Sequence, residues 1–537
     1  MYARLIGLTF AFVGTVAGAA EQSLLSAAEA GDHAAAVALI KGADVNARGP
    51  DGATALLWAV YNRDADLATR LIAAGADVNA RNEFGAFALS EAAISGDTPL
   101  IKALIDAKAD VNMANAEGET ALMVVARAGD VPAAELIVKA GADVNAVEAW
   151  GLQSPLMWAA AQKQPAMVKF LVAHGANVNA RGAVRDWQRK VIREPRPKDM
   201  NQGGFTPLLY AAREGCIECA RELVAGHVDL NLPDPHRVTP LVMALLNLHF
   251  DLAAYLIDIG ADVNKWDLYG RTPIYMTADT ETLPTQGNGT MVVLPSMDKL
   301  TAMDIAKQLL AKGADPNIQL KRRPPYRNVP QDRNGDTILS FGATPLLRAA
   351  RAGDAAMAQL LLEHGALVDL PSNQGVTPLL AAAGVEYGLR VTRGRNRTEE
   401  GVLKTLQVLL DAGADINARE VIEPKGGARA AQLPVNDQKL GDFSYDYRGR
   451  QVPSVRAIPH RTALQGAAMK GFTPIVKFLA EHGADLYAKD ANNRTALDLA
   501  NGDYNEPFLR QAAEPHADTV ALLKQFMAER PPAQARN

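Results

Sequence analysis

Two cysteines three residues apart, Cys216 and Cys219 in Cys-Ile-Glu-Cys, carry the spacing of a redox pair or of half a metal site. They are the only cysteines of the chain, so a disulfide framework is excluded. A structural zinc site needs a second ligand pair, and none accompanies them. No His follows Cys219, which rules out covalent haem attachment. In order, they read as two packed or partly exposed thiols, as a local disulfide made in an oxidising compartment, and last as catalytic thiols. His174, His364 and His482 each precede Gly-Ala at what looks like a helix C-terminus, where a polar or cationic ring suits the dipole. Asp44, Asp77, Asp143, Asp262 and Asp415 are calcium ligands by type, but they fall far apart and are expected to bond local backbone. No Gly-rich phosphate loop, nucleophile elbow or His-Glu-x-x-His occurs. The expectation is a chain that is no enzyme and holds no cofactor and no metal.

The elements that must carry these residues form a long chain of 537 residues, 48% hydrophobic and 21% charged. That length exceeds one ordinary core and points to several domains or a repeat array. A net charge of -5 argues against wholesale nucleic-acid binding, so no nucleic acid is expected as a partner. Residues 1–20 read as a secretory signal: one positive charge before the apolar run Leu5 to Val16, then the small residues Ala17 to Ala20. That run falls short of the roughly 20 residues of a bilayer-spanning helix, so cleavage is favoured over anchoring. With no other long apolar segment, no membrane span is expected after cleavage, and the chain is expected to be periplasmic or secreted.

Internal repetition organises the rest. Gly-Ala-Asp-Val-Asn-Ala begins at Gly42, Gly75 and Gly141, with close variants at Gly175, Gly260 and Gly413. Degraded copies begin at Lys108, Gly313, Gly365 and Gly483. Gly42 and Gly75 stand 33 residues apart, and Lys108 and Gly141 keep that step. Thr-Pro-Leu or Thr-Pro-Ile keeps time with it at Thr206, Thr239, Thr272, Thr344 and Thr377; near relatives stand at Thr54, Thr120, Ser154, Thr462 and Thr495. Thr is a good helix N-cap, and Pro at the next position lacks only an N–H that would be unsatisfied there anyway. A short inner helix such as Pro207 to Glu214 follows and ends at a Gly such as Gly215. An apolar stripe such as Met357, Leu360 and Leu361 then marks an outer helix, which the Gly of Gly-Ala-Asp ends in left-handed conformation. One such helix pair has too little core to stand alone, so copies must stack.

This period, with Thr-Pro-Leu, Ala-Ala-x-x-Gly and Gly-Ala-Asp-x-Asn, closely resembles the ankyrin repeat family. The resemblance implies an all-α solenoid with short β-hairpin fingers, about twelve units over residues 21–530, and a disordered tail at 531–537. The family's His after Thr-Pro-Leu is absent throughout; Leu57, Met157, Leu209, Val242, Tyr275, Leu347 and Leu380 stand there instead. Apolar packing is expected in place of that residue's hydrogen bonds.

Inserts interrupt the period near residues 181–201, 320–341 and 419–459, in the finger region, and near 279–300 and 386–400, between inner and outer helix. Four of the five are basic and together carry about +11, leaving the rest of the chain near -16. Extended loops carry charge to stay solvated; the alternative is a basic rim facing an acidic or anionic partner.

Ankyrin-like solenoids bind through finger tips and the exposed ends of inner helices. Carried over by position, this gives Glu83, Phe84, Trp150, Phe205, Leu268, Tyr269 and Phe341 at the tips. Tyr61, Arg213, Arg351 and Lys470 fall at the inner-helix ends. Trp58, Trp158 and Tyr210 read as core in the seam between repeats. The leading expectation is a non-catalytic scaffold for a protein partner outside the cytoplasm. A binder of an anionic cell-envelope polymer through the basic inserts comes second, and a thiol-redox protein using Cys216 and Cys219 third. Oligomeric state and the partner's identity stay open.

Overall fold

A computed structural model describes residues 23–185, 202–281, 296–321, 338–339, 341–385, 397–420, 460–504 and 513–532, and the backbone of 443–445 and 451–453. The signal segment and most of the five inserts lie outside the described residues. The chain divides into two compact units, residues 1–177 and 178–537.

In the N-terminal unit five inner helices, Leu24–Glu29, Ala55–Tyr61, Ala88–Ser95, Ala121–Ala128 and Pro155–Ala161, stack side by side in chain order. Each is followed by an outer helix, and these stack in a second layer: His33–Leu39, Ala65–Ala73, Thr98–Asp106, Val131–Lys139 and Pro165–Ala173. The C-terminal unit repeats the scheme with seven inner helices among the described residues, from Pro207–Glu214 to Ala496–Ala500. The fold is an all-α solenoid. Residues Phe443–Tyr445 and Gln451–Pro453 pair as a short antiparallel hairpin within one insert.

Local chemistry sets each boundary. Thr54 Oγ1 accepts the N–H of Leu57 at 3.2 Å, and Thr206 Oγ1 accepts that of Leu209 at 3.2 Å. Asp caps open most outer helices of the N-terminal unit: Asp32, Asp64, Asp97 and Asp130 each accept the N–H three residues on. Gly215 ends its helix at φ +72°, and a Cβ there would stand 2.5 Å from the His249 ring, so two constraints select glycine. Ala27, Ala59, Ala92, Ala159 and Ala211 are fully buried, which lets the inner helices approach closely. The seven apolar residues at the missing-His position are buried as expected.

Neighbouring repeats are tied by side chains as well as by packing. Asn46 Oδ1 accepts the N–H of Asp77 at 2.7 Å, while its Nδ2 donates to the Gly75 carbonyl at 3.3 Å. Asn79, Asn112, Asn264 and Asn317 make the same pair of contacts to the repeat that follows each. Fingers are zipped by single backbone bonds, such as Glu83 N–H to Asp51 O and Ala149 N–H to Glu117 O, both 2.8 Å.

The three finger inserts are closed at their bases. Arg185 donates to the Gln202 carbonyl at 2.8 Å, and Gly342 to that of Leu320 at 2.8 Å. The base of the longest is clasped by Glu420 and Arg461, both buried, with Arg461 Nε donating to Glu420 Oε2 at 3.1 Å. Each insert thus leaves and rejoins its finger at one point.

Candidate binding surface

The inner helix presents the residue seven positions after its N-cap at the rim of the stack. In the first full-length repeats of the N-terminal unit that residue is Tyr61 and then Ile94, 54% and 57% exposed. The finger residue before the turn glycine forms a parallel row, Asp51, Phe84, Glu117 and Trp150. Phe84 and Trp150 are 73% and 65% exposed, and Val147 and Leu152 beside Trp150 are exposed as well. Water offers such side chains nothing, and several of them along one edge of the stack form a surface built for contact.

Three expected surface residues are buried instead, each for a visible reason. Phe205 stands directly before the N-cap Thr206, not at the finger tip. Its ring packs edge-on against Tyr210 at 5.4 Å under the guanidinium of Arg213. Tyr269 does sit at a tip, but Arg271 lies over its ring at 5.2 Å and Lys321 donates to its carbonyl at 2.9 Å. Arg351 turns inward, its Nη1 donating to the carbonyls of Ala381 at 3.4 Å and Val385 at 2.8 Å at the end of the next inner helix. Glu83 and Arg213 are exposed; Leu268, Phe341 and Lys470 are half-buried. Trp58 and Trp158 are half-buried rather than core, whereas Tyr210 is core.

The structure therefore gathers Tyr61, Glu83, Phe84 and Trp150 on one unit and adds Ile94 and Glu91, which sequence reasoning missed. The signal was present: Ile94 lies one 33-residue step after Tyr61. Around them, Trp58 and Tyr61 meet edge-to-face with ring centroids 5.6 Å apart. Arg127 lies over the Trp158 ring at 5.4 Å and donates to Glu119 at 3.2 Å. Burial raises the carboxyl of Glu91 above its ordinary range. Between residues 23 and 177 there are 18 Asp/Glu against 11 Lys/Arg, so the unit that carries these apolar contact points is acidic as a whole.

Cys216 and Cys219 are joined in a disulfide, which corrects the first reading of two packed thiols. Cys216 stands at the cap of the helix Ile217–Ala225, where the N-terminal repeats have Asp, and its sulfur accepts the N–H of Cys219 at 3.2 Å. Both are buried, so no sulfur is presented to a substrate. The rings of His174, His364 and His482 bond carbonyls in their own last turns. Asp44, Asp77, Asp143, Asp262 and Asp415 accept the N–H two residues on. Among the described residues no group of three or more His, Cys, Asp or Glu is placed to hold a metal ion, and no helix is long and apolar enough to cross a membrane.

A family model described as ankyrin repeats (3 copies) matches residues 89–182, 189–278 and 299–420. A single-repeat model of the same family matches 51–83 and 460–491. Among curated proteins, an ankyrin repeat protein of Escherichia coli (strain K12), YahD, is 28% identical over 38% of this chain and 95% of its own length. The B-cell lymphoma 3 protein homolog of Mus musculus is 31% identical over 40% of this chain and 46% of its own. A protein of Danio rerio described as palmitoyltransferase ZDHHC13 is 25% identical over 44% of this chain, which spans 28% of that protein.

Proposed function

The chain belongs to the ankyrin repeat family, whose repeats are protein-interaction modules, and on that premise we propose that its N-terminal unit binds a protein partner through the exposed aromatic row. One observation carries this reading. Tyr61, Phe84 and Ile94 project into solvent from two adjoining repeats and Trp150 from the second repeat further on, whereas large apolar side chains elsewhere in the repeats are mostly buried. Aromatic rings at such positions are favoured hot-spot residues. The scaffold is non-catalytic: its binding residues supply contact area and charge, and no nucleophile with an adjacent base stands among them.

The reading places the chain outside the cytoplasm. The apolar run Leu5 to Val16 before Ala17 to Ala20 supports export. The Cys216–Cys219 disulfide is the state an oxidising compartment favours. N-terminal sequencing of the chain from its native cells tests this: a start near Ala20 or Glu21 supports export, and an intact Met1 contradicts it.

The binding reading is tested by capture from a cell-envelope extract, with the full chain compared to its Tyr61→Ala/Phe84→Ala/Trp150→Ala variant. Proteins retained by the first and lost by the second, with unchanged circular dichroism, support it. The basic excess of the inserts favours a second reading, an anionic envelope polymer as ligand. Retention that survives the aromatic changes but vanishes in high salt would favour the polymer.

A further inference from the structure

Four residues after the N-cap, the inner helices of the N-terminal unit carry Trp58, Glu91, Val124 and Trp158 in register. Three residues further on stand Tyr61, Ile94, Arg127 and Ala161. Glu91 is thus the one acid in a patch whose other members on its own and the preceding helix are Trp58, Tyr61 and Ile94. The helices Ala55–Tyr61 and Ala88–Ser95 pack directly against each other. The Glu91 carboxylate has no hydrogen bond or ion pair among the described residues, and burial alone acts on it. The cation one repeat on, Arg127, is already committed to Glu119 and to the face of Trp158. A half-buried carboxylate without a partner is unfavourable by itself, and bringing a cation to it restores the lost solvation.

We propose that Trp58, Tyr61, Glu91 and Ile94 form the seat for one Lys or Arg side chain of a partner protein, flanked on the partner by apolar residues. The cation meets the Glu91 carboxylate beside the rings of Tyr61 and Trp58, whose faces attract cations, and its stem and apolar neighbours lie on those rings and on Ile94. The acidic balance of the unit favours the same partner chemistry at longer range. Burial raises the Glu91 carboxyl with no cation to oppose it, as expected for a charge whose partner comes from another chain. This inference rests on the protein-binding reading above and specifies the partner's chemistry.

The test uses a displayed random 12-residue peptide library selected on the full chain. The peptides obtained are then measured against Glu91→Gln, Glu91→Lys, and Glu135→Gln as a control that removes one exposed charge from an outer helix. The expected peptides carry Lys or Arg beside apolar residues and bind Glu91→Gln on the order of tenfold more weakly, with little change for Glu135→Gln. A selection repeated on Glu91→Lys is expected to turn to Asp or Glu at that site. Glu91→Gln removes a poorly solvated charge and is expected to fold at least as stably, so weaker binding cannot be ascribed to unfolding. Peptides indifferent to Glu91→Gln, or weakened equally by Glu135→Gln, would overturn the seat while leaving the binding surface standing. Failure to select any peptide above the level of a bare support would count against both.

Discussion

Asp369 accepts the backbone N–H of Asp415 through Oδ2 at 3.0 Å, and its other oxygen is buried without a partner. Asn317 in the repeat before makes both contacts, accepting from Leu367 at 2.8 Å and donating to the Gly365 carbonyl at 2.9 Å. An aspartate can only accept, so one rung of the inter-repeat ladder is half made.

Asp369→Asn is therefore expected to stabilise the C-terminal unit by about 1 kcal/mol, the amide donating to the Gly413 carbonyl. Burial raises the Asp369 carboxyl, and the nearby charge of Asp415 adds to it. A raised carboxyl destabilises the fold where it is ionised, above its unfolded value, and that penalty fades as pH falls through the folded value. The advantage of the Asn variant should be full at neutral pH and shrink in acid. Urea denaturation across that range checks it; an advantage that grows in acid would contradict it.

Reduction of Cys216–Cys219 removes the staple and leaves the Cys216 sulfur, now a thiol, at the cap of the helix Ile217–Ala225. The short loop it closes predicts a loss of about 2 kcal/mol. A Cys216→Asp/Cys219→Ala variant has the cap type of the N-terminal repeats, so its denaturation midpoint should not respond to dithiothreitol. A wild-type midpoint that ignores dithiothreitol would show that the bond adds nothing.

Arg461→Ala removes the buried guanidinium that meets Glu420 at the base of the longest insert, and a loss of about 3–5 kcal/mol is expected. Replacing both, as Glu420→Leu/Arg461→Met, should recover most of that loss, because the backbone bond from Glu420 N–H to the Arg461 carbonyl at 3.1 Å remains. Calorimetry of the single and double variants decides it; equal losses in the two would contradict the clasp.

Phe205→Ala and Phe84→Ala should part company. Phe205 is packed under Arg213 against Tyr210, so its truncation is expected to destabilise the fold by about 3 kcal/mol or more. Phe84 and Trp150 are expected to leave stability unchanged and to weaken partner binding by about 1–3 kcal/mol each. Thermal unfolding beside titration calorimetry separates the two; a Phe205 variant of native stability would contradict its core assignment.

Much of this fold was legible in the sequence because its determinants are local and recur. A Thr that caps three residues ahead, a Pro at the first helical position and a Gly at positive φ act within a few residues, so a 33-residue step reads them directly. The site was legible only where exposure follows from register, as at Tyr61, Phe84 and Trp150. Phe205 misled because a finger is two or three residues wide, and one step along it reverses the face. Arg351 misled because a neighbour distant in sequence, Val385, takes its guanidinium inward, and Tyr269 because Arg271 lies over its ring. Spacing alone leaves Cys-Ile-Glu-Cys open between thiols and a disulfide, since both fit a helix start.

Hydrogen–deuterium exchange on the full chain, with and without a captured protein partner, tests the central claim most directly. New protection is expected in the fingers at residues 82–86 and 147–152 and at the ends of the inner helices Ala55–Tyr61 and Ala88–Ser95, with little change in the outer helices. Protection confined to residues 178–537, with these four segments unchanged, would contradict it.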